Sequence, residues 1–371
     1  MITIFGASVT QQKNGYAVKL KSKFNEEVRI FGYGGMHLNN AGICFIDKVL
    51  EKDPSYCFID WFSTGYTLIN EKTIEYIDTI IYRFSQKQCK LIFLIFPSRD
   101  YSEKISFYRF CKSHLETKSI CYIDINDEIG SITDILRDEI HTTDYGSTKY
   151  SDIIYSYFMK NKNSITVPND IRPTKYLNIN KIAVNRTFNK SIELEGSCEI
   201  IGFLLTIGPH SGLVELIEDK TSQVFNTWDP WCHYERKHFN LPCSIEGKIR
   251  INILQDNFDT SNCRRRYDFT KIKKTLIVHD IYYIGQYLTI NNLSSGISIN
   301  ETNFLNGFLR KVFRRIKQIK NVILDFNRKS SDHIESPNFT IWRWRHQISQ
   351  EGDFPLGKRG RLKSSTLKRP R

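Results

Sequence analysis

The pattern of apolar and polar positions changes twice along the chain. Over the first 160 or so residues, short apolar runs alternate with stretches of helical spacing. Ile2–Gly6, Val28–Tyr33, Tyr56–Phe62, Leu91–Phe96 and Ile120–Ile125 read as strands. Tyr16–Phe24, Ile43–Leu50, Lys72–Phe84 and Ile105–Leu115 read as helices between them, and Tyr150–Tyr157 belongs to a closing helix. The strands are almost continuously apolar, as expected when both faces of a parallel sheet are covered. The pattern therefore predicts an α/β unit with a flavodoxin-like parallel sheet over residues 1–162.

A polar stretch with two prolines, Asn161–Pro173, then reads as a linker, placed at residues 163–175. Beyond it the periodicity shortens. Ser191–Glu195, Glu199–Ile207, Gly212–Glu218, Lys248–Leu254, Lys274–Val278 and Ile281–Ile284 alternate in the manner of half-buried strands, with turn residues between them. Residues 176–300 are expected to form an antiparallel β-sandwich. After Thr302 the spacing becomes helical again, with Phe304, Phe308, Val312, Ile316, Ile319, Ile323 and Phe326 on one stripe and lysines and arginines between them. That predicts a basic amphipathic helix within residues 301–371, followed by a Trp-Arg-Trp-Arg cluster at Trp342–Arg345 and a disordered Gly/Lys/Arg/Ser tail.

Charge sharpens this division. The 371-residue chain has a net charge of +13, and residues 301–371 hold 17 Lys and Arg against 6 Asp and Glu, a net of +11. The first 300 residues thus carry only +2, and the basic character belongs to the last segment. Such a segment suits an anionic membrane surface or a partner protein, or packing of its apolar face on the preceding unit. Nothing upstream looks like a reader of bases, so nucleic acid is not expected as a partner. No run of 18 apolar residues occurs, and Met1-Ile2-Thr3-Ile4-Phe5 enters a strand without a basic leader, so a cytoplasmic protein is expected, peripheral at the inner membrane face if the basic segment anchors it. The nine cysteines are odd in number, irregularly spaced and free of C-x-x-C, which suggests buried thiols and no metal site.

Candidate chemistry sits in the first unit. Phe5-Gly6-Ala7-Ser8 places a serine just past the first strand, at the sheet edge where open parallel sheets bind ligands. A serine hydroxyl needs a base to take its proton. Asp138-Glu139-Ile140-His141, before the closing helix, supplies a histidine with an aspartate three residues ahead to hold one ring nitrogen. A glycine-serine turn also occurs where related folds cradle phosphate, and a lone Asp-x-x-His also occurs as a helix cap. The ordered combination is what points to acyl transfer.

Gly6-Ala7-Ser8, Gly32-Tyr33-Gly34-Gly35 after the second strand and Asp138-x-x-His141 together resemble the SGNH (GDSL-like) hydrolase and O-acyltransferase family over roughly the first 160 residues. The resemblance implies Ser8 as nucleophile, His141 as base, Asp138 as its orienting partner, and an oxyanion hole that includes the backbone amides of Ser8 and Gly35. The family's Gly-x-Asn-Asp block is absent. Phe62-Ser63-Thr64-Gly65 stands there, so Thr64 takes the position of the asparagine donor. His37, two residues past Gly35, is a further pocket candidate.

In the second unit, Trp228, Asp229, Trp231, His233, Glu235 and Arg236 crowd aromatic and polar side chains into one expected loop, a composition suited to sugar rings and hydroxyls. Taken together, the sequence suggests an O-acyl esterase or O-acetyltransferase acting on a saccharide through an acyl-Ser8 intermediate, in the tailoring of a surface polysaccharide. No cofactor is expected, apart from an acyl donor such as acetyl-CoA if the reaction is a transfer. The alternative is a saccharide-binding or scaffold protein on the same fold, weak or inactive because the asparagine is missing.

Overall fold

The computed structural model describes residues 1–298, apart from 64–70, 100, 130, 169–171, 174, 220, 256–257, 266–267, 270 and 293–296. The basic helix and tail expected in residues 301–371, and Thr64, lie outside the described residues. The first unit is a five-stranded parallel sheet in the order β2-β1-β3-β4-β5. Its strands are β1 (Ile2–Gly6), β2 (Val28–Gly32), β3 (Tyr56–Asp60), β4 (Lys90–Ile95) and β5 (Cys121–Asp124). Every residue of β1 is buried, which explains a run with no polar alternation.

Helices cover both faces: α1 (Ser8–Gln11), α2 (Tyr16–Lys21), α3 (Ile46–Leu50), α4 (Glu71–Ser85), α5 (Tyr101–Thr117) and α6 (Asp144–Asn161). α6 is much longer than its apolar core suggests. It starts at Asp144 because the Thr143 hydroxyl accepts from the Gly146 amide at 3.0 Å, a side-chain cap that satisfies an otherwise orphan donor. The strand order reverses beside β1, which places the ligand crevice at the carboxyl ends of β1 and its neighbours.

The second unit is a single hydrogen-bonded antiparallel sheet of eight strands. These are β6 (Asn180–Phe188), β7 (Ser191–Ile207), β8 (Leu213–Glu218), β9 (Thr221–Asn226), β10 (Arg236–Asn240), β11 (Cys243–Ile253), β12 (Leu276–Ile290) and β13 (Ile297–Ser298). β7 and β12 are each one long strand where the sequence pattern suggested two. They pair with each other through three register shifts, and these bulges interrupt the alternation without ending the ladder. Alternate residues of β7 divide between two cores. Phe203, Leu205 and Ile207 join the core of the antiparallel unit, whereas Leu204 faces the parallel unit.

That second face is not solvated. Phe239 of β10 and Tyr282 of β12 pack on Phe45, which precedes α3, at ring separations of 5.4 and 6.0 Å, and Tyr33 packs on Phe45 at 4.5 Å in a tilted arrangement. Phe45, Phe239 and Tyr282 are all buried, so the two sheets share an aromatic seam. The nine cysteines are free thiols, and six are buried.

Phe239→Ala should open a cavity in this seam. Truncating a buried phenylalanine costs about 3–5 kcal/mol. The expected outcome in urea unfolding is a lower midpoint by that much free energy, whereas a midpoint shift near zero would mean that the seam contributes little.

Candidate active site

Three loops meet at the carboxyl edge of β1 and β2, and polar side chains of α1 join them. Ser8 opens α1, a helix of one turn closed by the Gln11 amide donating to the Ala7 carbonyl at 3.0 Å. Gly6 is required here by close approach rather than by a turn. A Cβ at this position would lie 2.4 Å from the Asp60 carbonyl oxygen and 2.6 Å from the Thr10 hydroxyl. Ser8 itself is partly exposed.

The second loop carries Gly34 and Gly35. Gly35 has φ of +72°, a conformation suited to glycine, and is exposed. The Gly34 amide donates to Gln11 Oε1 at 2.7 Å, so that amide is occupied. A methyl group on Gly34 would lie 3.9 Å from Ser8 Cβ, which puts this loop directly beside the serine.

The third loop is a tight turn. The Arg137 amide donates to the His141 carbonyl at 2.8 Å, and Leu136 and Thr142 form an isolated bridge. Inside the turn, Asp138 accepts from the amides of His141 and Ile140 at 2.8 and 3.2 Å and meets His141 Nδ1 at 2.9 Å. Burial pushes the Asp138 carboxyl up, but the bonds from the His141 and Ile140 amides and the His141 ring outweigh it and hold the group below its ordinary value. An anionic Asp138 at Nδ1 fixes the tautomer in which Nε2 is free to act as a base. Arg99 braces the turn from outside, its guanidinium donating to the Leu136 carbonyl at 2.6 Å.

Gln12, just past α1, ties this turn to the helix that Ser8 opens. Its amide donates to the Thr142 carbonyl at 2.8 Å and accepts from the Thr142 hydroxyl at 3.2 Å. Neither glutamine was singled out in the sequence, where Gln11-Gln12 looks like ordinary solvated surface. The signal that identifies them is their position, three and four residues after the serine. Among the described residues no hydrogen bond joins Ser8 to His141.

Beneath α1 lies Asp60, the last residue of β3 and fully buried. It accepts from the Thr10 hydroxyl at 2.8 Å and from the Ser63 hydroxyl, and Thr10 also meets the Tyr16 hydroxyl at 2.8 Å. Burial pushes the carboxyl up to about 7 despite these bonds.

The sugar platform expected in the second unit is arranged differently. Trp228 is only 6% exposed and packs on Phe258 and Phe269, so it is a core residue with no face for a ring. Asp229 and Arg236 form an ion pair, and Asp229 also accepts from the Trp231 amide at 2.8 Å. The Arg264 guanidinium covers one side of Trp231, 4.0 Å from the ring centre. His233 packs against Tyr234, and Glu235 is exposed with its carboxylate 4.0 Å from His210. The loop is thus bonded largely to itself. Its continuation, β10, is what approaches the first unit.

No known protein family matches the chain in sequence, and no curated protein does. Solved structures match it in fold. One, described as a two-domain esterase active on acetylated mannans and co-crystallised with mannopentaose, is 13% identical and aligns with a TM-score of 0.56 over 77% of this chain and 90% of that one. A second structure with the same description, without the saccharide, is 12% identical, with a TM-score of 0.51 over 78% and 92%. The likeness spans both sheets. At this identity it establishes the fold alone: a parallel, flavodoxin-like unit followed by an antiparallel one.

The buried carboxyl generates a test. Asp60 keeps its proton to a higher pH in the folded chain than its ordinary value of 3.8 allows once the chain unfolds. Ionising it therefore penalises only the folded state. Its contribution to stability falls as pH rises from about 4 to about 7 and is flat above that. Asp60→Asn cannot ionise, so the difference in urea midpoint between wild type and variant should change across that window. A constant difference would show that Asp60 titrates normally.

Proposed function

We propose that the chain is a serine-dependent esterase that removes O-acyl groups from a saccharide. The observation that carries this reading is the convergence of Ser8, the Gly34–Gly35 loop and the Asp138–His141 turn at one sheet edge, linked by Gln11 and Gln12. In this reading Ser8 Oγ attacks the acyl carbonyl while His141 Nε2 takes the hydroxyl proton. Asp138 holds the imidazole and stabilises the imidazolium that forms. The amides of Ser8 and Gly35 donate to the oxyanion. Collapse of the tetrahedral intermediate expels the sugar alkoxide, which takes the proton from His141 and leaves acyl-Ser8. A water, deprotonated by His141, then releases the acid and restores the serine.

The saccharide assignment draws support from the two-domain esterases of the same fold, whose described substrates are acetylated mannans. A sugar hydroxyl in place of water at the second step would make the protein an O-acetyltransferase, with acetyl-CoA or another acyl donor in the first. Both outcomes pass through acyl-Ser8. A non-catalytic saccharide-binding protein would not.

Ser8→Ala and His141→Ala should each lower kcat on p-nitrophenyl acetate or acetylated mannan by about 10³-fold or more while leaving the melting temperature nearly unchanged. Asp138→Asn should lose less. Gln12→Leu should fall between, because it frees the His141 turn from the helix that carries Ser8. Intact-mass measurement during turnover should find one acyl group, and none on Ser8→Ala. Wild-type turnover in Ser8→Ala would sink the assignment.

A further inference from the structure

β10 pairs with β7, with His238 opposite Leu205 and Phe239 opposite Leu204. Phe239 is locked into the aromatic seam, so the neighbouring His238 is held at a fixed place relative to the parallel unit. That place is the Gly35 loop. A Cβ built on Gly35 would stand 3.8 Å from His238 Nδ1 and 4.0 Å from its Cε1. Gly35 itself is exposed, and the ring thus lies beside the residue whose amide the proposed oxyanion hole uses.

His238 Nδ1 is buried and, among the described residues, has no hydrogen-bond partner. Leaving a buried polar nitrogen unpaired costs about 1–3 kcal/mol, and a site that receives a ligand is a common reason to bear it. Two residues earlier on the same strand, Arg236 shows the same feature. Its Nη2 pairs with Asp229, whereas its Nη1 is buried and unpartnered among the described residues. Burial first, then Arg236 and His37, hold the His238 imidazole down to about 4, so the ring is neutral at neutral pH and offers a hydrogen bond without a charge.

We propose that His238, carried by the antiparallel sheet, is a substrate-contacting residue that hydrogen-bonds the bound ester through Nδ1 beside the Gly35 amide. This rests on the esterase reading above, which uses only residues of the parallel unit. It adds to that reading a side-chain group from the second sheet, in a chain that lacks the asparagine donor of the resembling family.

The test separates hydrogen bonding from packing and this contact from the Ser8 chemistry. Full-length wild type, Ser8→Ala, His238→Phe, His238→Asn and His238→Gln are compared for kcat/KM on p-nitrophenyl acetate, for the rate of Ser8 labelling by a fluorophosphonate, and for melting temperature. His238→Phe keeps a flat ring and loses the nitrogen. An asparagine amide reaches where Nδ1 lies, whereas a glutamine amide reaches where Nε2 lies. The expected result is a loss of about tenfold to a hundredfold in kcat/KM and in labelling for His238→Phe, near-recovery for His238→Asn, and little recovery for His238→Gln. If His238→Phe turns over and labels like wild type, or if His238→Asn is as impaired as His238→Phe at equal melting temperature, the contact is refuted while the Ser8 reading stands. If wild type and Ser8→Ala label and turn over alike, the Ser8 reading fails and this proposal fails with it.

Discussion

A helix of one turn cannot hold itself in place, and the whole site depends on how α1 is anchored. Each of its polar side chains past Ser8 grips a different part of the fold. Thr10 reaches down to the buried Asp60, Gln11 sideways to the Gly34 amide, and Gln12 across to Thr142. Ser8 is thereby fixed against the sheet, the Gly34–Gly35 loop and the His141 turn at once. The anchoring also occupies the Gly34 amide, which bonds Gln11. A buried carboxylate accepting hydroxyls is a costly anchor, and its raised pKa expresses that cost.

The aromatic seam has a comparable role on a larger scale. Tyr33 and Phe45 follow β2 in the chain, and Phe239 and Tyr282 come from the antiparallel sheet. Because Tyr33 directly precedes Gly34, the contact that joins the sheets lies next to the loop that borders Ser8. Placement of β10 against Gly35 is thus a consequence of packing.

Much of this was readable from residue order. The five parallel strands were legible because both faces are buried, and so the apolar runs were unbroken. Ser8 and the Asp138–His141 pair drew attention by residue type and order, and Gly35 by the family resemblance, and the fold brings their loops to one sheet edge. Other parts were hidden for physical reasons. β10 reads Arg-Lys-His-Phe-Asn, with a single apolar residue, and its place in the sheet comes from tertiary pairing with β7. β6, with Asn180, Lys181, Asn185 and Arg186 along it, was concealed in the same way. β7 and β12 were each divided by bulges that break the alternation. Trp228 looked like a sugar platform because composition cannot tell an aromatic at the surface from one turned inward onto Phe258 and Phe269. The anchoring roles of Gln11 and Gln12 depend on Gly34 and Thr142, which are distant in sequence, so only the folded chain reveals them.

The seam has one more consequence. Leu204, Phe239, Tyr282 and Tyr176 count among the side chains of the parallel unit's own core, although all four lie beyond α6 in the chain. A chain ending after α6 would leave Phe45 and Tyr33 facing water, and the antiparallel unit alone would expose Phe239 and Tyr282. The two sheets are therefore not interchangeable modules on a string. Each sheet covers apolar surface of the other, and either one alone would leave its half of the seam exposed.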